Sequence, residues 1–312
     1  MVYFIVFLII CLLVLILYFK LSAGVCKNKN SMEGKVIIVT GANSGIGFET
    51  ARELAARGGR IILACRNVEK GQEAVKKIIN STKNSNVCIK QINLASLNSV
   101  RKFADEINST EKRLDVLIHN SGVYCTGLKF TEDSLEEQFA TNYFGPFLLN
   151  HLLLDLLKRS APSRIIVVSS FAYRTSNLDL ENMNCEKHIN STFLTYSNTK
   201  LANILFVHEL SKKLNGTGVT ANSLHPGLVK TGIFRNTPWY TKFIILPIIY
   251  PFLKDPKSGA QTTIYLATDD SVRDTSGKYF ADCKPAWILP GARDDIKSKE
   301  LWGKSEILTK IK

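Results

Sequence analysis

Tyr196 and Lys200 stand four residues apart in the segment YSNTK, inside a longer run that the sequence predicts to be helical. Because an α-helix has 3.6 residues per turn, the two side chains share one face. A tyrosine hydroxyl has an ordinary pKa near ~10, so at neutral pH it is a poor acid and a poor base. The pair is typical of a solvated amphipathic face, or of a proton donor whose pKa the ammonium of Lys200 lowers.

A glycine-rich turn follows the first predicted strand, KVIIVTG, and leads into a predicted helix. Its sequence is TGANSGIG, and it contains Gly41, Gly45 and Gly47. Glycines permit a tight turn and a close approach of backbone N–H groups to a pyrophosphate, which binds at the helix N-terminus. A turn of this kind between a strand and a helix, in the first βα unit, predicts a dinucleotide site.

The residue at the end of the second predicted strand indicates which dinucleotide is preferred. An NAD site has an acidic residue about ~20 positions after the glycines, where it binds the ribose 2′-hydroxyl. This chain instead has Arg66, nineteen residues after Gly47. A guanidinium pairs well with a 2′-phosphate, which favours NADP(H) over NAD(H). The alternative is a solvated arginine at a strand end.

Short apolar runs alternate with longer amphipathic runs from Lys35 onward, which is typical of a parallel sheet flanked by helices. We predict about seven strands, namely KVIIVTG, RIILACR, NVCIKQINL, LDVLIHNSG, RIIVVSS, GVTANSLHPG and SGKYFADC. The fold class is therefore α/β, with a single doubly wound, Rossmann-type domain over residues 34–312. In this architecture ligands bind at the carboxyl ends of the strands.

Two further polar groups are expected near that edge. Hydride transfer to a carbonyl needs an acid for the developing alkoxide and a donor that holds its oxygen. Ser169 and Ser170 follow the fifth strand, where a hydroxyl faces the ligand crevice, and Asn142 falls in the preceding long helix.

The composition narrows the class of partner. The formal net charge is +13, but the lysines and arginines are scattered and not gathered with aromatic residues, so nucleic acid is not the expected partner. A membrane with anionic lipid fits the charge better. The seven cysteines are odd in number, widely spaced and free of CxxC, which argues against a disulfide framework or a metal site.

The first twenty residues predict a transmembrane anchor over residues 1–20. The run from Val2 to Phe19 is apolar without a break, and eighteen helical residues span roughly 27 Å of a bilayer core of ~30 Å. A cleaved signal peptide is the alternative, but no basic region precedes the run. Lys20, Lys27 and Lys29 follow it, the last two in a basic linker over residues 21–33, which predicts a single-pass protein whose main body faces the cytoplasm.

A second apolar segment, TPWYTKFIILPIIYPFLKDP, covers residues 237–256. Pro247 and Pro251 interrupt it, and its apolar core is too short to span a bilayer. One interpretation is a buried helix pair that completes the core. The interpretation that we favour is a lid over the substrate cleft that partly enters the membrane, with Trp239 and Tyr240 at the interface.

Together these motifs resemble the short-chain dehydrogenase/reductase family, and within it the membrane-anchored retinol dehydrogenases. The resemblance extends over nearly the whole chain, including the N-terminal anchor and the segment ACRNVEKG. It rests on TGxxxGxG from Thr40 to Gly47, the Asn120–Gly122 turn, Asn142, Ser170, Tyr196-x-x-x-Lys200 and HPGLVKT from His225 to Thr231.

The resemblance implies a role for each matching position. Tyr196 would be the general acid/base, Lys200 would bind the nicotinamide ribose and lower the tyrosine pKa, and Ser170 would orient the substrate oxygen. Asn142 would hold a water in the proton relay. The residues implied to bind NADP(H) are Gly41, Asn43, Ser44, Gly45, Ile46, Gly47, Arg66, Asn93, Leu94, Asn120, Gly122, Tyr196, Lys200, Pro226, Gly227, Val229 and Thr231.

The chain departs from the family pattern at four positions. Asn93 replaces an aspartate that accepts a hydrogen bond from the adenine, so weaker binding is expected there. His119 and Ser121 stand where the family has Asn and Ala, and Tyr143 stands where relatives often have His. None of these positions belongs to the implied catalytic set.

The resemblance implies an NADP(H)-dependent oxidoreductase that interconverts retinol and retinal or a similar lipophilic alcohol and aldehyde, in the endoplasmic reticulum membrane. A steroid or another lipid ketone is an alternative substrate. A catalytically silent NADP(H)-binding scaffold is an alternative of another class. No metal is implied, and a homo-oligomer is compatible with the sequence.

Overall fold

The computed structural model describes residues 23–232 and 250–311, together with Tyr3, Phe4 and Phe7. Eight strands are present in this part of the chain: β1 Val36–Thr40, β2 Arg60–Cys65, β3 Val87–Gln91, β4 Val116–His119, β5 Ser163–Val168, β6 Val219–Leu224, β7 Tyr279–Ala281 and β8 Lys284–Pro285. They form one sheet in the order β3-β2-β1-β4-β5-β6-β7-β8. All neighbours are parallel except β7 and β8, which are antiparallel.

The predicted α/β class and the seven parallel strands are confirmed, but the strand count is short by one. The additional strand, β8, has two residues and turns back directly after β7. A strand of two residues carries no hydrophobic alternation, so the sequence pattern does not indicate it.

Helices connect the strands. They are α1 Gly45–Ala56, α2 Val68–Thr82, α3 Leu97–Thr110, α4 Glu137–Phe139, α5 Gly145–Arg159, α6 Thr192–Lys213, α7 Pro256–Thr268 and α8 Asp295–Leu308. A π-helical turn over Ala140–Phe144 joins α4 to α5. Short 3₁₀ turns cover Phe171–Thr175, Leu180–Asn182, Tyr250–Phe252, Asp270–Val272 and Pro290–Arg293.

The core has two layers because successive strand residues point to opposite faces of the sheet. Ile37 and Val39 of β1 pack on one face, against apolar residues of α1, α2 and α7. Val36 and Ile38 pack on the other face, against α3, α5, α6 and α8. The central strands are therefore apolar on both sides, which explains their unbroken apolar runs in the sequence.

Parallel pairing brings the carboxyl ends of β1 to β7 to one edge of the sheet, which we call the carboxyl edge. The glycine turn after β1, Arg66 after β2, and Ser170 after β5 all begin at this edge. The fold thus gathers the predicted chemical groups where a doubly wound sheet binds its ligands.

Two predicted segments fall largely outside the described residues. The anchor over residues 1–20 is represented only by Tyr3, Phe4 and Phe7, and residues 237–249 of the predicted lid are not described. Within the described ranges, no helix combines the length and apolar character needed to cross a bilayer. The linker is described from residue 23 onward, and Gly24 N donates to Asp282 Oδ1 at 3.1 Å.

Candidate active site

The turn between β1 and α1 requires glycine for two distinct reasons. Gly41 has a φ of +68°, in the left-handed region that favours glycine. A Cβ on Gly47 would lie 2.4 Å from Asn120 Nδ2 and 2.7 Å from Gly41 O, a contact that no side chain can make. The turn is thus packed tightly against the loop after β4, and its glycines carry no side chain that would shield the backbone.

The N-terminus of α1 offers backbone N–H groups to the same turn. Ser44 is the N-cap residue, and within the described chain its side chain makes no capping hydrogen bond. The first N–H groups of a helix need an acceptor, and an anion is a favourable one. Ser44 is exposed, whereas Ile46 packs inward near Gly259 of α7. The geometry therefore fits a phosphate at this helix end.

The loops after β1 and β4 are bound to each other. Thr40 Oγ1 accepts hydrogen bonds from Asn120 N at 2.9 Å and from Ser121 N at 3.0 Å. Asn120 Nδ2 donates to Thr40 O at 2.9 Å. Thr40 is the first residue of the TGxxxGxG motif. Its side chain fixes the distance between the glycine turn and the Asn120–Gly122 turn.

The loop after β6 approaches the glycine turn from the other side. A Cβ on Gly45 would lie 3.5 Å from Thr231 Cγ2. Val229 is buried, and its backbone forms a bridge with Lys254. Pro226 and Gly227 lie between these residues and the end of β6. The structure therefore brings two separate parts of the predicted cofactor set together.

Two predicted adenosine-side groups lie at the carboxyl ends of β2 and β3. Arg66 directly follows β2 and is exposed. Asn93 follows β3, and its Oδ1 accepts a hydrogen bond from Ala95 N at 3.2 Å. Leu94 is buried, and its carbonyl lies against Gly145. Asn93 thus uses its amide oxygen within its own turn.

Tyr196 and Lys200 lie one turn apart in α6, on the face that points toward β5. Lys200 Nζ donates to Val168 O at 3.1 Å and lies 5.5 Å from the centroid of the Tyr196 ring. The Tyr196 hydroxyl is hydrogen-bonded to Ser170. A solvated amphipathic face is excluded, because Lys200 is 3% exposed.

The two serines after β5 have different partners. Ser169 is buried, and its Oγ donates to Lys200 O at 2.7 Å, which binds α6 to the end of β5. Ser170 Oγ accepts a hydrogen bond from Ala172 N at 3.2 Å and faces Tyr196. Only the second serine reaches the tyrosine hydroxyl.

Asn142 lies in the π-helical turn and not in the regular helix that the sequence pattern predicts. Its Oδ1 accepts from Val123 N at 2.7 Å, and its Nδ2 donates to Val123 O at 3.0 Å and to Thr199 Oγ1 at 3.2 Å. A Cβ on Gly122 would lie 3.7 Å from Asn142 Oδ1 and 3.4 Å from Lys200 Nζ. Asn142 therefore holds the loop after β4 against α6. Turns of this π type are frequent at functional sites.

The pKa of Tyr196 moves in the direction opposite to the one expected. Burial raises it to about 12, and the hydrogen bond with Ser170 lowers it by less. Burial also lowers the pKa of Lys200 to about 8. Desolvation disfavours the charged form of each group, and the Lys200 ammonium is directed to the Val168 carbonyl. In the polypeptide alone the net pKa of Tyr196 is therefore raised and not lowered, because burial is the larger effect.

The structure adds residues that the sequence did not indicate. Thr199 Oγ1 donates to Tyr196 O at 2.7 Å and accepts from Asn142, so it links the two. The ring of Tyr124 stands edge-on to Tyr196, with centroids 5.8 Å apart. Thr199 belongs to the YSNTK segment, so the sequence predicts that it lies near Tyr196. Its contact with Asn142 depends on the tertiary fold and could not be predicted from the sequence.

His119 and Tyr143, two of the departures from the family pattern, are both buried. His119 ends β4, neither of its ring nitrogens has a hydrogen-bond partner among the described residues, and burial lowers its pKa to about 3. Tyr143 Oη is hydrogen-bonded to Ser305 Oγ of α8 at 2.8 Å. Both side chains therefore belong to the interior behind the site.

Comparison with known proteins gives a consistent result. The short chain dehydrogenase family pattern matches residues 35–239. Retinol dehydrogenase 12 of Bos taurus is 42% identical over 284 residues, which cover 91% of this chain and 89% of the relative. Retinol dehydrogenase 13 of Homo sapiens is 44% identical over 288 residues, covering 91% and 87%.

Solved structures share the architecture. An uncharacterized protein from Mycobacterium paratuberculosis is 32% identical, with a TM-score of 0.74 and coverage of 93% of this chain and 97% of that one. The Pseudomonas aeruginosa RhlG/NADP active-site complex is 23% identical, with a TM-score of 0.64 and coverage of 80% and 95%. The latter similarity shows the fold alone.

Proposed function

Since this chain belongs to the short-chain dehydrogenase family and is an oxidoreductase related to retinol dehydrogenases, we propose that it interconverts retinol and retinal, or a similar lipophilic alcohol and aldehyde, with NADP(H). The observation that carries the proposal is the contact between Ser170 and Tyr196 beside Lys200, in a chain that matches retinol dehydrogenases over nine-tenths of its length.

The residues at the carboxyl edge fit a nicotinamide dinucleotide. The glycine turn leaves no room for side chains at Gly47, and the α1 N-terminus presents N–H groups to a pyrophosphate. Arg66 is exposed at the end of β2, where its guanidinium can pair with a 2′-phosphate. We assign the preference for NADP(H) to this residue. The bound nicotinamide supplies or accepts the hydride.

The chain's own groups handle the proton and orient the substrate. The Ser170 hydroxyl donates to the substrate oxygen and holds it near Tyr196. The Tyr196 hydroxyl gives its proton to that oxygen during reduction, and the tyrosinate takes a proton from the alcohol during oxidation. Lys200 stabilises the tyrosinate that reduction leaves behind, because its ammonium lies beside the ring.

At neutral pH both groups of the pair hold their protons. The Tyr196 hydroxyl, whose pKa burial raises to about 12, is protonated, as a donor to a carbonyl oxygen must be, but it is a weaker acid than a free tyrosine. Lys200, with a pKa lowered to about 8, is mainly charged at pH 7. Proton donation therefore depends on stabilisation of the tyrosinate by the Ser170 hydroxyl and the Lys200 ammonium.

We also propose that the chain is anchored in the endoplasmic reticulum membrane by its first twenty residues, with the catalytic domain in the cytoplasm. The unbroken apolar run from Val2 to Phe19 supports the anchor, and the lysines that follow it support the orientation. Residues 237–256 would form the apolar lid. A lipophilic substrate then reaches the cleft from the bilayer.

A substrate panel tests this function. Membranes that contain the full-length protein are incubated with NADPH or NADH, and with all-trans-retinal, a steroid ketone or an aliphatic aldehyde. We expect the highest kcat/KM with NADPH and retinal. A higher kcat/KM for the steroid ketone would show that lipid ketones, and not retinoids, are the substrate class. Binding of NADPH without turnover of any carbonyl would favour a silent scaffold and contradict the proposal.

A further inference from the structure

Four large apolar side chains remain exposed on the carboxyl edge of the sheet. Trp287 is 62% exposed, Tyr250 53%, Phe171 52% and Leu228 51%. They lie on loops that follow β5, β6 and β8 and on the turn before α7. Single exposed apolar residues are common on protein surfaces, but a contiguous group beside a ligand cleft indicates a binding surface.

Basic side chains are interleaved with these aromatic rings. The Arg174 guanidinium lies 4.4 Å from the centroid of the Phe171 ring and 5.5 Å from that of Trp287. Lys230 Nζ lies 4.6 Å from the centroid of the Tyr250 ring. Aromatic rings with cations beside them are typical of the membrane–water interface, where the ring lies among headgroups and the cation meets anionic lipid. We call this set the rim; its members are Phe171, Arg174, Leu228, Lys230, Tyr250 and Trp287.

The two halves of the rim are joined by direct contacts. The Phe171 ring and the His225 ring have centroids 6.0 Å apart, and His225 Nδ1 accepts from Gly227 N at 3.1 Å. Lys254 N donates to Leu228 O at 2.7 Å, which connects the loop after β6 to the segment that carries Tyr250. The rim is therefore one surface, and it borders the candidate active site because Phe171 directly follows Ser170.

The described residues that adjoin the two apolar segments of the sequence lie close to the rim. Gly24, next to the start of the described linker, donates its N–H to Asp282 Oδ1. The same carboxylate oxygen pairs with Lys254 Nζ at 2.5 Å, only four residues after Tyr250, where the description resumes. Gly24 follows the apolar run of residues 2–19 in the sequence, and Tyr250 follows FIILPII of residues 243–249, so the described ends nearest to both apolar sequences lie at one edge of the domain.

We propose that the rim rests on the surface of a lipid bilayer that contains anionic phospholipid, so that the cleft opens toward the membrane. Asp282, the acidic residue nearest to these two described ends, is neutralised by Lys254. Arg174 and Lys230 remain exposed, and the chain as a whole carries a formal charge of +13. Apolar contact and attraction to anionic headgroups therefore act in the same direction.

Quenching of tryptophan fluorescence by brominated lipid tests this orientation in the full-length protein. The protein is reconstituted into vesicles of neutral and anionic phospholipid, with and without bromine near the headgroups. The contribution of Trp287 is the difference between the wild type and Trp287→Phe. We expect brominated lipid to quench this contribution.

The matched control reports the opposite edge of the same molecule. Ser85 is exposed in the turn before β3, at the amino ends of the strands, so a tryptophan there faces away from the proposed bilayer surface. In the variant Trp287→Phe/Ser85→Trp, we expect no quenching of the new tryptophan. Arg174→Glu should weaken the quenching of Trp287 in anionic vesicles. In the wild type, the quenching of Trp287 should be weaker in neutral vesicles than in anionic ones.

Equal quenching at the two edges, or none at Trp287, would overturn the proposal. Quenching that is as strong in neutral vesicles would contradict the role of anionic lipid. A Trp287 that is shielded without lipid, with cross-linking between copies through the rim, would assign the surface to self-association. The inference rests on the membrane anchor of the proposed function. Because fluorescence is measured and not turnover, a failure of quenching at Trp287 is distinguishable from a failure of the proposed oxidoreductase activity.

Discussion

The ammonium of Lys200 lies 5.5 Å from the centroid of the Tyr196 ring and donates its hydrogen bond to the carbonyl of Val168. The cation therefore adjoins the ring, while the hydroxyl faces Ser170. Burial acts on the two groups in opposite directions, raising the pKa of Tyr196 to about 12 and lowering that of Lys200 to about 8. The site thus holds a protonated acid next to a cation that folding must desolvate.

Replacing Lys200 should stabilise the fold while it removes activity. Burial of the ammonium disfavours the charged lysine in the folded state, and one pKa unit corresponds to about 1.4 kcal/mol. After allowance for the lost hydrogen bond to Val168, we expect Lys200→Met to raise the free energy of unfolding at pH 7 by on the order of 2 kcal/mol. Thermal unfolding followed by circular dichroism measures this change, and reductase turnover should fall sharply.

The pH dependence of that difference has a definite sign. The folded pKa of Lys200, about 8, lies below its ordinary value of 10.5, so the unfolded chain binds more protons between those two values. Wild-type stability therefore gains from this group as the pH rises from 8 to 10.5, and the advantage of Lys200→Met should shrink over the same interval. An advantage that grows with pH would contradict the assignment.

The two serines after β5 provide a matched pair. Ser170→Ala removes the hydroxyl that faces Tyr196 and the substrate oxygen, and loss of one such donor reduces kcat by about 10²- to 10³-fold. Ser169→Ala removes only the bond to Lys200 O, so we expect a loss of stability of about 1 kcal/mol with kcat largely kept. Steady-state kinetics and unfolding curves separate the two. A larger loss of kcat in Ser169→Ala would reverse the roles.

Arg66 should control the choice of dinucleotide. A hydrogen-bonded ion pair with a 2′-phosphate contributes about 1.5–3 kcal/mol, so Arg66→Ala should raise the Kd for NADPH by about 10- to 100-fold and leave that for NADH nearly unchanged. Cofactor fluorescence titration measures both constants. Lys112→Ala is the control, since it removes one exposed charge at the amino end of β4. Equal weakening of both cofactors by Arg66→Ala would refute the assignment.

Gly47 should tolerate no side chain. Gly47→Ala places a methyl group against Asn120 Nδ2, so the glycine turn must shift away from the loop after β4. We expect loss of NADPH binding in the same titration. Gly303→Ala is the control, because its Cβ meets no heavy atom within 4 Å in α8 and alanine favours a helix. That variant should bind NADPH normally and unfold at a slightly higher temperature.

The sequence predicted most of the architecture because the elements that carry it have clear periodicity. The unbroken apolar runs of β1, β2, β4 and β5 follow from helices on both faces of the sheet. The glycine turn and the Tyr196–Lys200 spacing were readable because their requirements are local. Ser170 and Tyr196, twenty-six residues apart, come together only because α6 packs against the end of β5.

Other features depend on packing that no local pattern encodes. The π-helical turn around Asn142 forms where α4 and α5 join, and its side chain binds a loop nineteen residues upstream. The direction of the pKa shift of Tyr196 depends on how deeply its side chain is buried, which the sequence alone does not determine. The contact between Arg174 and Trp287 joins a turn after β5 to the segment that follows β8.

Tyr196→Phe tests the central claim most directly. The variant keeps the ring beside Tyr124 and Lys200 and removes only the hydroxyl, so packing and NADPH binding should be retained. Single-turnover reduction of all-trans-retinal by the NADPH-loaded, membrane-bound protein should slow by about 10²- to 10⁴-fold, the usual contribution of a positioned acid. Reduction at the wild-type rate would show that Tyr196 is not the proton donor.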